Sequence, residues 1–490
     1  MSIFEKAFGP SMDIQNFING AFVAPVNKLK FDNINPATAS VICTVPDSDE
    51  MDVEMAIDAA TAAFPSWQKT SNEERFRILH AISTGIMDNL EKFAMAESLD
   101  TGKPLSLAKT VDIPRSAQNF EFFATAIMHF ASESHEMQDV AINYTLRKPL
   151  GVVACISPWN LPLYLFSWKI APALAAGNCV VAKPSEVTPL TAYLLGEICQ
   201  KAGLPNGVLN ILHGFGHKVG AALIAHPKIK AISFTGGTST GKTIASIAAP
   251  QFKKLSLELG GKNPNIIFAD AEWDKAMETT LLSSFRNQGQ ICLCGSRILI
   301  ESSIYEKFKT EFVAKVANLK VGNPMDGTTN VGAVVSKNHY HKILDCIELA
   351  KSEGGKILIG GQPLKMDGDC EQGYFIAPTV IEGLPQNCKT NTEEIFGPVV
   401  TLQPFENEAE AISIANGTNY GLSATVWTSD LKKAHRMANN LEAGIVWINT
   451  WMLRDLRTPF GGVKQSGVGR EGGWEAMRFF TDAKNVVIKY

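Results

Sequence analysis

The chain has 490 residues, more than one hydrophobic core usually serves, so we expect two or three domains. Its 45 lysines and arginines nearly balance its 49 aspartates and glutamates, and it has no basic run, which argues against a nucleic-acid-binding protein. Hydrophobic residues make up 45% of the chain, but the most apolar window, residues 150–166, is too short and too interrupted by prolines to span a membrane.

Nine cysteines are spread along the chain, and none forms the C-x-x-C pair of a zinc site. This usage predicts a reduced, cytoplasmic protein without a metal centre. The first thirteen residues contain no long apolar stretch, so we expect no signal peptide.

Residues 53–67 have helical apolar spacing, which predicts an amphipathic helix on a core. After residue 148, strand-like and helix-like segments alternate. This order predicts a parallel sheet wrapped by helices, which binds nucleotides beyond the carboxyl ends of its strands. The predicted strands are 151–157, 178–185, 207–214 and 230–236, and the predicted helices between them are 163–177 and 188–203.

A second α/β series begins near residue 261 and runs to about residue 460. Residues 142–149 alternate like an edge strand, and the chain end has the same character. Such strands need covering, and subunit pairing is the usual way, so we expect an oligomer. The predicted domains are a cofactor domain (1–138 and 150–260), a catalytic domain (261–460) and oligomerisation strands (139–149 and 476–490).

Residues 236–243 spell G-x-x-x-x-G-K-T, the pattern of a loop that cradles phosphates in NTPases. The apolar run that ends at Asp270 imitates the strand that carries a magnesium-binding aspartate. An NTPase is therefore one candidate, and it leaves the residues discussed next unexplained.

The segment 287–297 reads N-x-G-Q-x-C-x-x-x-x-R, with Cys292 at its centre. A cysteine is a good nucleophile only as a thiolate, and by itself Cys292 could be a small buried residue. However, this segment resembles the cysteine motif of the aldehyde dehydrogenase superfamily. Other motifs of that family follow in its order, over nearly the whole chain: SPWN (157–160), KPSE (183–186), LELGGKNP (257–264), EEIFGPV (393–399) and PFGGVKQSGVGRE (459–471).

The resemblance implies an α/β fold with a Rossmann-type cofactor domain, a second α/β catalytic domain and a small β oligomerisation element. It also implies that Cys292 attacks an aldehyde, that Asn160 and the Cys292 N–H bind the oxyanion, and that Glu258 is the general base for thioester hydrolysis. Family members that transfer the acyl group to coenzyme A lack this glutamate, so a free acid is the expected product. Cys294 has no matching role, and we expect a structural neighbour or a partner for a reversible disulfide.

The same resemblance implies an NAD site. The turn after Phe234 faces the pyrophosphate, with Gly237 where the family more often has serine, and Lys242-Thr243 completes the NTPase pattern by chance. A carboxylate at Glu186 repels the extra phosphate of NADP, which favours NAD. The implied cofactor residues are Ile156, Pro158, Trp159, Lys183, Ser185, Glu186, Gly216, Phe234, Gly236, Gly237, Glu394 and Phe396.

The segments DIPR (112–115) and WMLRDLRTPFGG (451–462) resemble the 2-aminomuconate and 2-hydroxymuconate 6-semialdehyde dehydrogenases of that family. Their substrates carry a distal carboxylate, which an arginine binds well. The implied substrate residues are Arg115, Arg454, Arg457, Tyr164 and Trp168.

Other interpretations stay open. Loop arginines often form surface ion pairs, and aromatic residues at helical spacing are often plain core. A dehydrogenase of aliphatic, betaine or retinal aldehydes is the alternative within the family. A non-catalytic protein on the same scaffold is the third class, although it is expected to have lost the cysteine or the glutamate.

Overall fold

The computed structural model describes Phe8 and residues 12–490. The first thirteen residues, for which we expect no signal peptide, therefore lie almost entirely outside the described residues. Two parallel sheets flanked by helices form the body of the chain. The helices in the described part are Glu50–Trp67, Asn72–Asp88, Leu90–Thr101, Leu105–Leu107, Ile113–His129, Pro162–Ala175, Leu190–Lys201, Ala221–Ala225, Thr238–Ala248, Trp273–Phe285, Tyr305–Ala317, Lys337–Ser352, Lys389–Thr392, Glu408–Asn416, Leu431–Asn440 and Gly473–Phe479.

The first sheet has eight strands, and its five central strands run parallel, which confirms the predicted α/β architecture. These central strands are buried on both faces, as parallel strands covered by helices must be. The strand order is Ala21–Val23, Asn16–Ile18, Leu209–Ile211, Cys179–Lys183, Val152–Ile156, Ile229–Thr235, Lys254–Glu258 and Gly467–Val468.

The last strand of that sheet, Gly467–Val468, comes from the far end of the chain and pairs antiparallel with Lys254–Glu258. The chain therefore returns to the first sheet after completing the second. This return brings residues near 470 against the end of the strand that carries Glu258.

The second sheet has seven strands, parallel except for the first pair. The predicted boundary at residue 261 falls between strands that belong to different sheets. The strand order is Lys356–Ile359, Thr379–Glu382, Val399–Phe405, Arg297–Glu301, Pro264–Ile267, Ser423–Trp427 and Ile445–Ile448.

A third, three-stranded antiparallel sheet joins Thr481–Lys489, Ala141–Pro149 and Ser134–Met137, in that order. The prediction that 142–149 is an edge strand is wrong, because Ala141–Pro149 is the central strand. The hairpin with Ser134–Met137 covers its other side, and that pairing leaves no signature in the alternation of 142–149. Two short antiparallel pairs, Lys30–Asn35 with Ser40–Pro46 and Tyr420–Gly421 with Val463–Lys464, complete the sheets of the described residues.

The largest hydrophobic core surrounds the first sheet, and smaller cores lie on the faces of the second. The helix Pro162–Ala175 is buried along its whole length, which explains its nearly continuous apolar sequence. Among the described helices, none combines the length and the apolar character needed to cross a membrane.

Candidate active site

A cleft opens where the carboxyl ends of the first sheet meet the loop that carries Cys292. The first sheet contributes the loops that follow its parallel strands, which all leave at one edge. The Cys292 loop comes from the other side, between the helix Trp273–Phe285 and the strand Arg297–Glu301 of the second sheet. The cleft brings together predicted residues of the nucleophile, oxyanion and cofactor groups. It is lined by Pro158, Trp159, Asn160, Thr235, Gly236, Gly237, Leu259, Gly260, Cys292, His339, Lys342, Glu394 and Phe396.

The loop before Cys292 has an unusual backbone. Asn287, Gln288 and Gly289 all have left-handed φ angles, of 52°, 57° and 69°. A Cβ on Gly289 would lie 2.1 Å from the carbonyl oxygen of Gly397, so only glycine fits there. The side-chain Nδ2 of Asn287 donates to the carbonyls of Asn160 at 3.1 Å and Gln290 at 3.2 Å, and these bonds hold the loop against the cleft wall.

Cys292 is partly exposed to the cleft, whereas Cys294 is buried. Burial, together with the carboxylates of Glu394 and Glu258, raises the pKa of the Cys292 thiol above its ordinary value, and Arg454 opposes the rise. The thiol is therefore neutral at physiological pH in this state. Asn263 holds the main chain here, since its Nδ2 donates to the carbonyls of Cys292 at 2.7 Å and Cys294 at 2.9 Å.

Asn160 is buried beside this loop, at the end of the segment that follows strand Val152–Ile156. Its side-chain Nδ2 donates to the carbonyl of Gln290 at 2.9 Å. The amide donor and the cysteine thus lie on the same wall of the cleft, as stabilisation of an oxyanion beside the sulfur requires.

Glu258 ends the strand Lys254–Glu258 and is only 3% exposed. Neither of its carboxyl oxygens has a hydrogen-bond partner among the described residues. Burial and the nearby Glu471 carboxylate raise the pKa of Glu258 well above its ordinary value, while Lys169, Arg470 and Arg454 partly offset the rise. A buried carboxyl with free oxygens and a raised pKa fits a general base better than a structural ion pair.

Lys169 and Glu471 are functional candidates that our sequence reasoning missed. Lys169 Nζ lies 2.6 Å from Glu471 Oε1 and 3.3 Å from the Ser233 hydroxyl, inside the first core. The sequence contains a feature that could have pointed to each of these two residues. Lys169 is the one lysine in an otherwise apolar helix, and Glu471 ends the PFGGVKQSGVGRE motif.

Three of the predicted cofactor residues, Lys183, Ser185 and Glu186, lie together at the end of strand Cys179–Lys183 and in the loop that follows it. Lys183 Nζ lies 3.1 Å from Glu186 Oε2, and the N–H of Gly216 also donates to Glu186. Burial alone raises the pKa of Glu186, but Lys183 and these hydrogen bonds lower it below its ordinary value, so the carboxylate is charged. Ser185 is buried beside them.

Steric contacts explain why glycine stands at position 236, directly after the strand Ile229–Thr235. A Cβ on Gly236 would lie 2.4 Å from the Phe234 ring, whereas a Cβ on Gly237 would meet no atom within 4 Å. The helix Thr238–Ala248 begins directly after Gly237, so its N-terminal N–H groups face the cleft. A serine side chain, which the family more often has at this position, would therefore fit there without a clash.

The NTPase pattern does not form a site. Lys242 and Thr243 are exposed on the helix Thr238–Ala248, which connects two strands of the first sheet. The strand Pro264–Ile267, which precedes Asp270, belongs to the second sheet. The Asp270 carboxylate accepts hydrogen bonds from the Thr428 hydroxyl and the Lys433 ammonium. The glycine turn and the aspartate of the NTPase pattern therefore follow strands of different sheets.

Aromatic residues close the far end of the cleft. The rings of Trp159 and Phe396 are 5.3 Å apart and perpendicular, and His339, which the sequence did not reveal, lies 4.9 Å from Trp159. Burial lowers the pKa of His339 to about 4, so the ring is neutral and its Nε2–H donates to the Phe396 carbonyl at 2.7 Å. Glu394 accepts from the N–H of Gly261 at 2.8 Å.

The predicted substrate residues separate into two groups. The guanidinium carbons of Arg115 and Arg454 lie 5.8 Å and 5.4 Å from the same Trp168 ring, and Arg454 Nη1 donates to the Tyr164 hydroxyl at 3.3 Å. Two nitrogens of Arg115, Nε and Nη2, are buried and have no partner among the described residues. Arg457 does not join this cluster.

Arg457 instead lies on the surface, with its side chain 80% exposed. It forms a two-pronged ion pair with its neighbour Asp455, with nitrogen–oxygen distances of 2.6 Å and 3.0 Å. Arg454 and Arg457 stand close together in one loop with similar neighbours in sequence. Only the path of that loop shows that Arg454 packs against Trp168 while Arg457 lies on the surface.

A cysteine, an asparagine amide and a glycine turn thus meet at one cleft, as the predicted dehydrogenase site requires. The model of the aldehyde dehydrogenase family matches residues 22–486. The chain belongs to the aldehyde dehydrogenase family.

Individual relatives match over almost the entire chain. The 2-aminomuconic semialdehyde dehydrogenase of Danio rerio is 48% identical over 97% of this chain and 98% of its own length. The 2-hydroxymuconic semialdehyde dehydrogenase of a Pseudomonas species is 47% identical over 97% of this chain and 99% of its own. Among solved structures, betaine aldehyde dehydrogenase of Staphylococcus aureus in complex with NAD+ is 40% identical, covers 99% of this chain and 96% of its own, and superposes with a TM-score of 0.95.

Proposed function

We propose that the protein oxidises a semialdehyde with a distal carboxylate, 2-aminomuconate or 2-hydroxymuconate 6-semialdehyde, to the corresponding acid with NAD as oxidant. One observation supports the substrate class most directly. Two guanidinium groups share the Trp168 ring, and Arg454 acts electrostatically on both Cys292 and Glu258. A carboxylate held by these arginines therefore lies within one small molecule's length of the reacting sulfur.

In this proposal the Cys292 sulfur attacks the aldehyde carbon and forms a thiohemiacetal. The carbonyl oxygen becomes an oxyanion, which accepts hydrogen bonds from the Asn160 amide and the Cys292 N–H. Because the raised pKa keeps the Cys292 thiol neutral beforehand, its proton passes to a base as the carbon–sulfur bond forms, and the nearby Glu258 carboxylate takes that part before returning the proton to solvent.

NAD, when bound, accepts the hydride that leaves the thiohemiacetal carbon, and a thioester to Cys292 remains. Glu258 then removes a proton from the water that attacks the thioester. The carbon–sulfur bond breaks, and the free acid leaves. Lys169 and Arg470 support the ionised base, because their positive charges offset the burial of the Glu258 carboxylate.

The cofactor residues support NAD rather than NADP. Lys183 and Glu186 face the ribose hydroxyls in this proposal, and the charged Glu186 disfavours a ribose phosphate. Gly236 and Gly237 leave room for the pyrophosphate at the start of the helix Thr238–Ala248. Trp159, Glu394 and Phe396, with Ile156 and Pro158 behind them, line the nicotinamide end.

At the other end of the substrate, Arg115 and Arg454 bind the distal carboxylate. The Tyr164 hydroxyl and the indole N–H of Trp168, which has no partner among the described residues, provide further polar contacts. Arg457 takes no part, since Asp455 already neutralises it.

A dehydrogenase of betaine or of neutral aldehydes is the alternative. Two arginines around one indole repel a quaternary ammonium, which disfavours betaine aldehyde. The test is NADH formation over a panel of aldehydes with and without a distal carboxylate. A higher kcat/KM for the carboxylate-bearing members supports the proposal, and equal values across the panel contradict it.

The domain assignment stays as predicted from the sequence, with a cofactor domain (1–138 and 150–260), a catalytic domain (261–460) and oligomerisation strands (139–149 and 476–490). The strand Thr481–Lys489 supports a homodimer or homotetramer, because its outer edge is unpaired among the described residues and its Val487 is 55% exposed. The reduced cysteines favour the cytoplasm. Sedimentation velocity tests the oligomer, and a monomer at micromolar concentration contradicts it.

A further inference from the structure

A cluster of three ionisable side chains lies entirely within the protein, next to the main chain of Asn160. Lys103 Nζ is 3.1 Å from Glu97 Oε1 and 2.7 Å from Asp112 Oδ2, and none of the three side chains is more than 2% exposed. Burying charges costs free energy that pairing only partly returns, so such a cluster is weak evidence for a stabilising role. Its contacts point to a different one.

The Lys103 ammonium makes a third contact, to the main-chain carbonyl of Asn160 at 3.2 Å. That carbonyl also accepts from Asn287 Nδ2 at 3.1 Å. Asn287 and the Asn160 side chain both donate to Gln290, two residues before Cys292, at 3.2 Å and 2.9 Å. Lys103 and Asn287 thus hold the main-chain carbonyl of Asn160, and the Gln290 carbonyl holds its side-chain amide.

Each carboxylate of the cluster also adjoins a helix that carries proposed substrate residues. Glu97 Oε2 accepts from the N–H of Leu163 at 3.4 Å, in the first turn of the helix that carries Tyr164 and Trp168. Asp112 directly precedes the helix Ile113–His129, which carries Arg115. One buried cluster therefore joins the first turn of the helix Pro162–Ala175 to the π-helical turn Ala108–Asp112, which runs directly into the helix Ile113–His129. These two helices bear the proposed carboxylate site.

We propose that Lys103 is a positioning residue, whose ammonium holds Asn160 so that its amide faces the aldehyde oxygen above Cys292. Through Glu97 and Asp112, the same ammonium keeps the two substrate helices in register with that amide. This inference rests on the proposed function, in which Asn160 stabilises the oxyanion. Displacement of a donor by about 1 Å lowers a catalytic rate by up to roughly a hundredfold, so the position of Asn160 matters.

A double-mutant cycle tests the inference on the full chain. The variants are Lys103→Met, Asn160→Ala and their combination, each assayed with NAD and both a semialdehyde and a neutral aldehyde. We expect Lys103→Met to lower kcat/KM by about ten- to a hundredfold for both substrates. For the neutral aldehyde, the same change in the Asn160→Ala background should cost less than about threefold, because the donor that Lys103 positions is already gone. The semialdehyde should lose more in that background, because the helices that carry Arg115 and Trp168 still depend on Lys103.

Lys253→Met is the matched control. Lys253 is also a buried lysine, and its ammonium donates to the carbonyls of Ile224 at 2.6 Å and His226 at 2.8 Å, with no contact to the cluster. Its loss should lower the melting temperature and change kcat/KM equally in both backgrounds. The dissociation constant of NAD should stay the same in Lys103→Met.

If Lys103→Met does not fold, Glu97→Gln/Lys103→Gln replaces the ion pair by a neutral amide pair and enters the same cycle. Multiplicative losses in the cycle with the neutral aldehyde would overturn the role of Lys103 while leaving the proposed function in place. If Asn160→Ala by itself leaves kcat/KM unchanged, the oxyanion assignment in the proposed function fails instead, and the inference falls with it.

Discussion

Lys169 and Glu471 stand 302 positions apart in the chain and form a buried ion pair, with Lys169 Nζ 2.6 Å from Glu471 Oε1. The pair lies beside Glu258 and acts on it in opposite directions. The Glu471 carboxylate raises the pKa of Glu258, adding to the effect of burial, and the Lys169 ammonium lowers it. The ionisation of the proposed base is therefore set by residues that are not its neighbours in sequence.

This relationship predicts a pH dependence. Glu258 acts as a base only when deprotonated, and its pKa is raised, so thioester hydrolysis should accelerate as pH rises through that pKa. Glu471→Gln removes the nearby negative charge, lowers the pKa of Glu258 and should move the rising limb to lower pH. The measurement is the pH profile of acyl-enzyme decay in single-turnover experiments.

Glu475→Gln is the control for that profile. Glu475 is an exposed glutamate four positions further on, paired with Arg478 at 2.9 Å on the surface. We expect its profile to match that of the unmodified protein. An unmoved limb in Glu471→Gln, or an equal shift in the control, contradicts the electrostatic account.

Substitution of Cys292 and substitution of Cys294 should have sharply different effects on activity. Cys292→Ser should lower kcat by more than about a thousandfold, because a serine hydroxyl lacks the nucleophilicity of the sulfur. Cys294→Ser should keep most of the activity, since Cys294 is buried and lines no part of the cleft. Steady-state NADH formation measures both, and comparable losses in the two variants would rule out Cys292 as the sole nucleophile.

Arg454→Ala should raise the KM for a carboxylate-bearing semialdehyde by about ten- to a hundredfold, the effect of losing a charge-assisted hydrogen bond. The KM for a neutral aldehyde should change little. Arg457→Ala is the control, because its guanidinium is engaged with Asp455 on the surface. The carboxylate site is misassigned if Arg454→Ala and Arg457→Ala affect the semialdehyde alike.

Glu186 should set the choice of cofactor. The unmodified protein is expected to prefer NAD, and Glu186→Gln should increase kcat/KM for NADP by at least about tenfold as the repulsion of the ribose phosphate is lost. Glu197→Gln, at a half-exposed glutamate that pairs with Lys92, serves as the control. Equal use of NAD and NADP before any substitution speaks against the assigned role.

The adjacent glycines of the turn offer a matched pair. Gly236→Ala should weaken NAD binding and lower stability by about 1–3 kcal/mol, since its Cβ would lie 2.4 Å from the Phe234 ring. Gly237→Ser should be neutral or should strengthen NAD binding, because the space there is open. Isothermal titration with NAD and thermal unfolding measure both effects, and the reverse order of the two variants would show that the turn is shaped differently.

Much of the site could be predicted from the sequence because the chemistry resides in short motifs. Cys292, Glu258 and Asn160 each stand in such a motif. The central strands were predictable because each is a short apolar run bounded by a loop. The central place of Ala141–Pro149 was not, because alternation reports the faces of a strand and carries no information about which strands pair with its edges.

By itself, the sequence determined the family, the α/β architecture and the order of the elements, since local periodicity and motif spacing encode these. Only the tertiary structure decided which charged groups share a space. It joined Lys169 to Glu471, placed Lys103 next to the main chain of Asn160, and turned Arg454 toward Trp168 while leaving Arg457 with Asp455 on the surface. The physical reason is that burial and distance set the strength of an electrostatic interaction, and both depend on how distant segments pack.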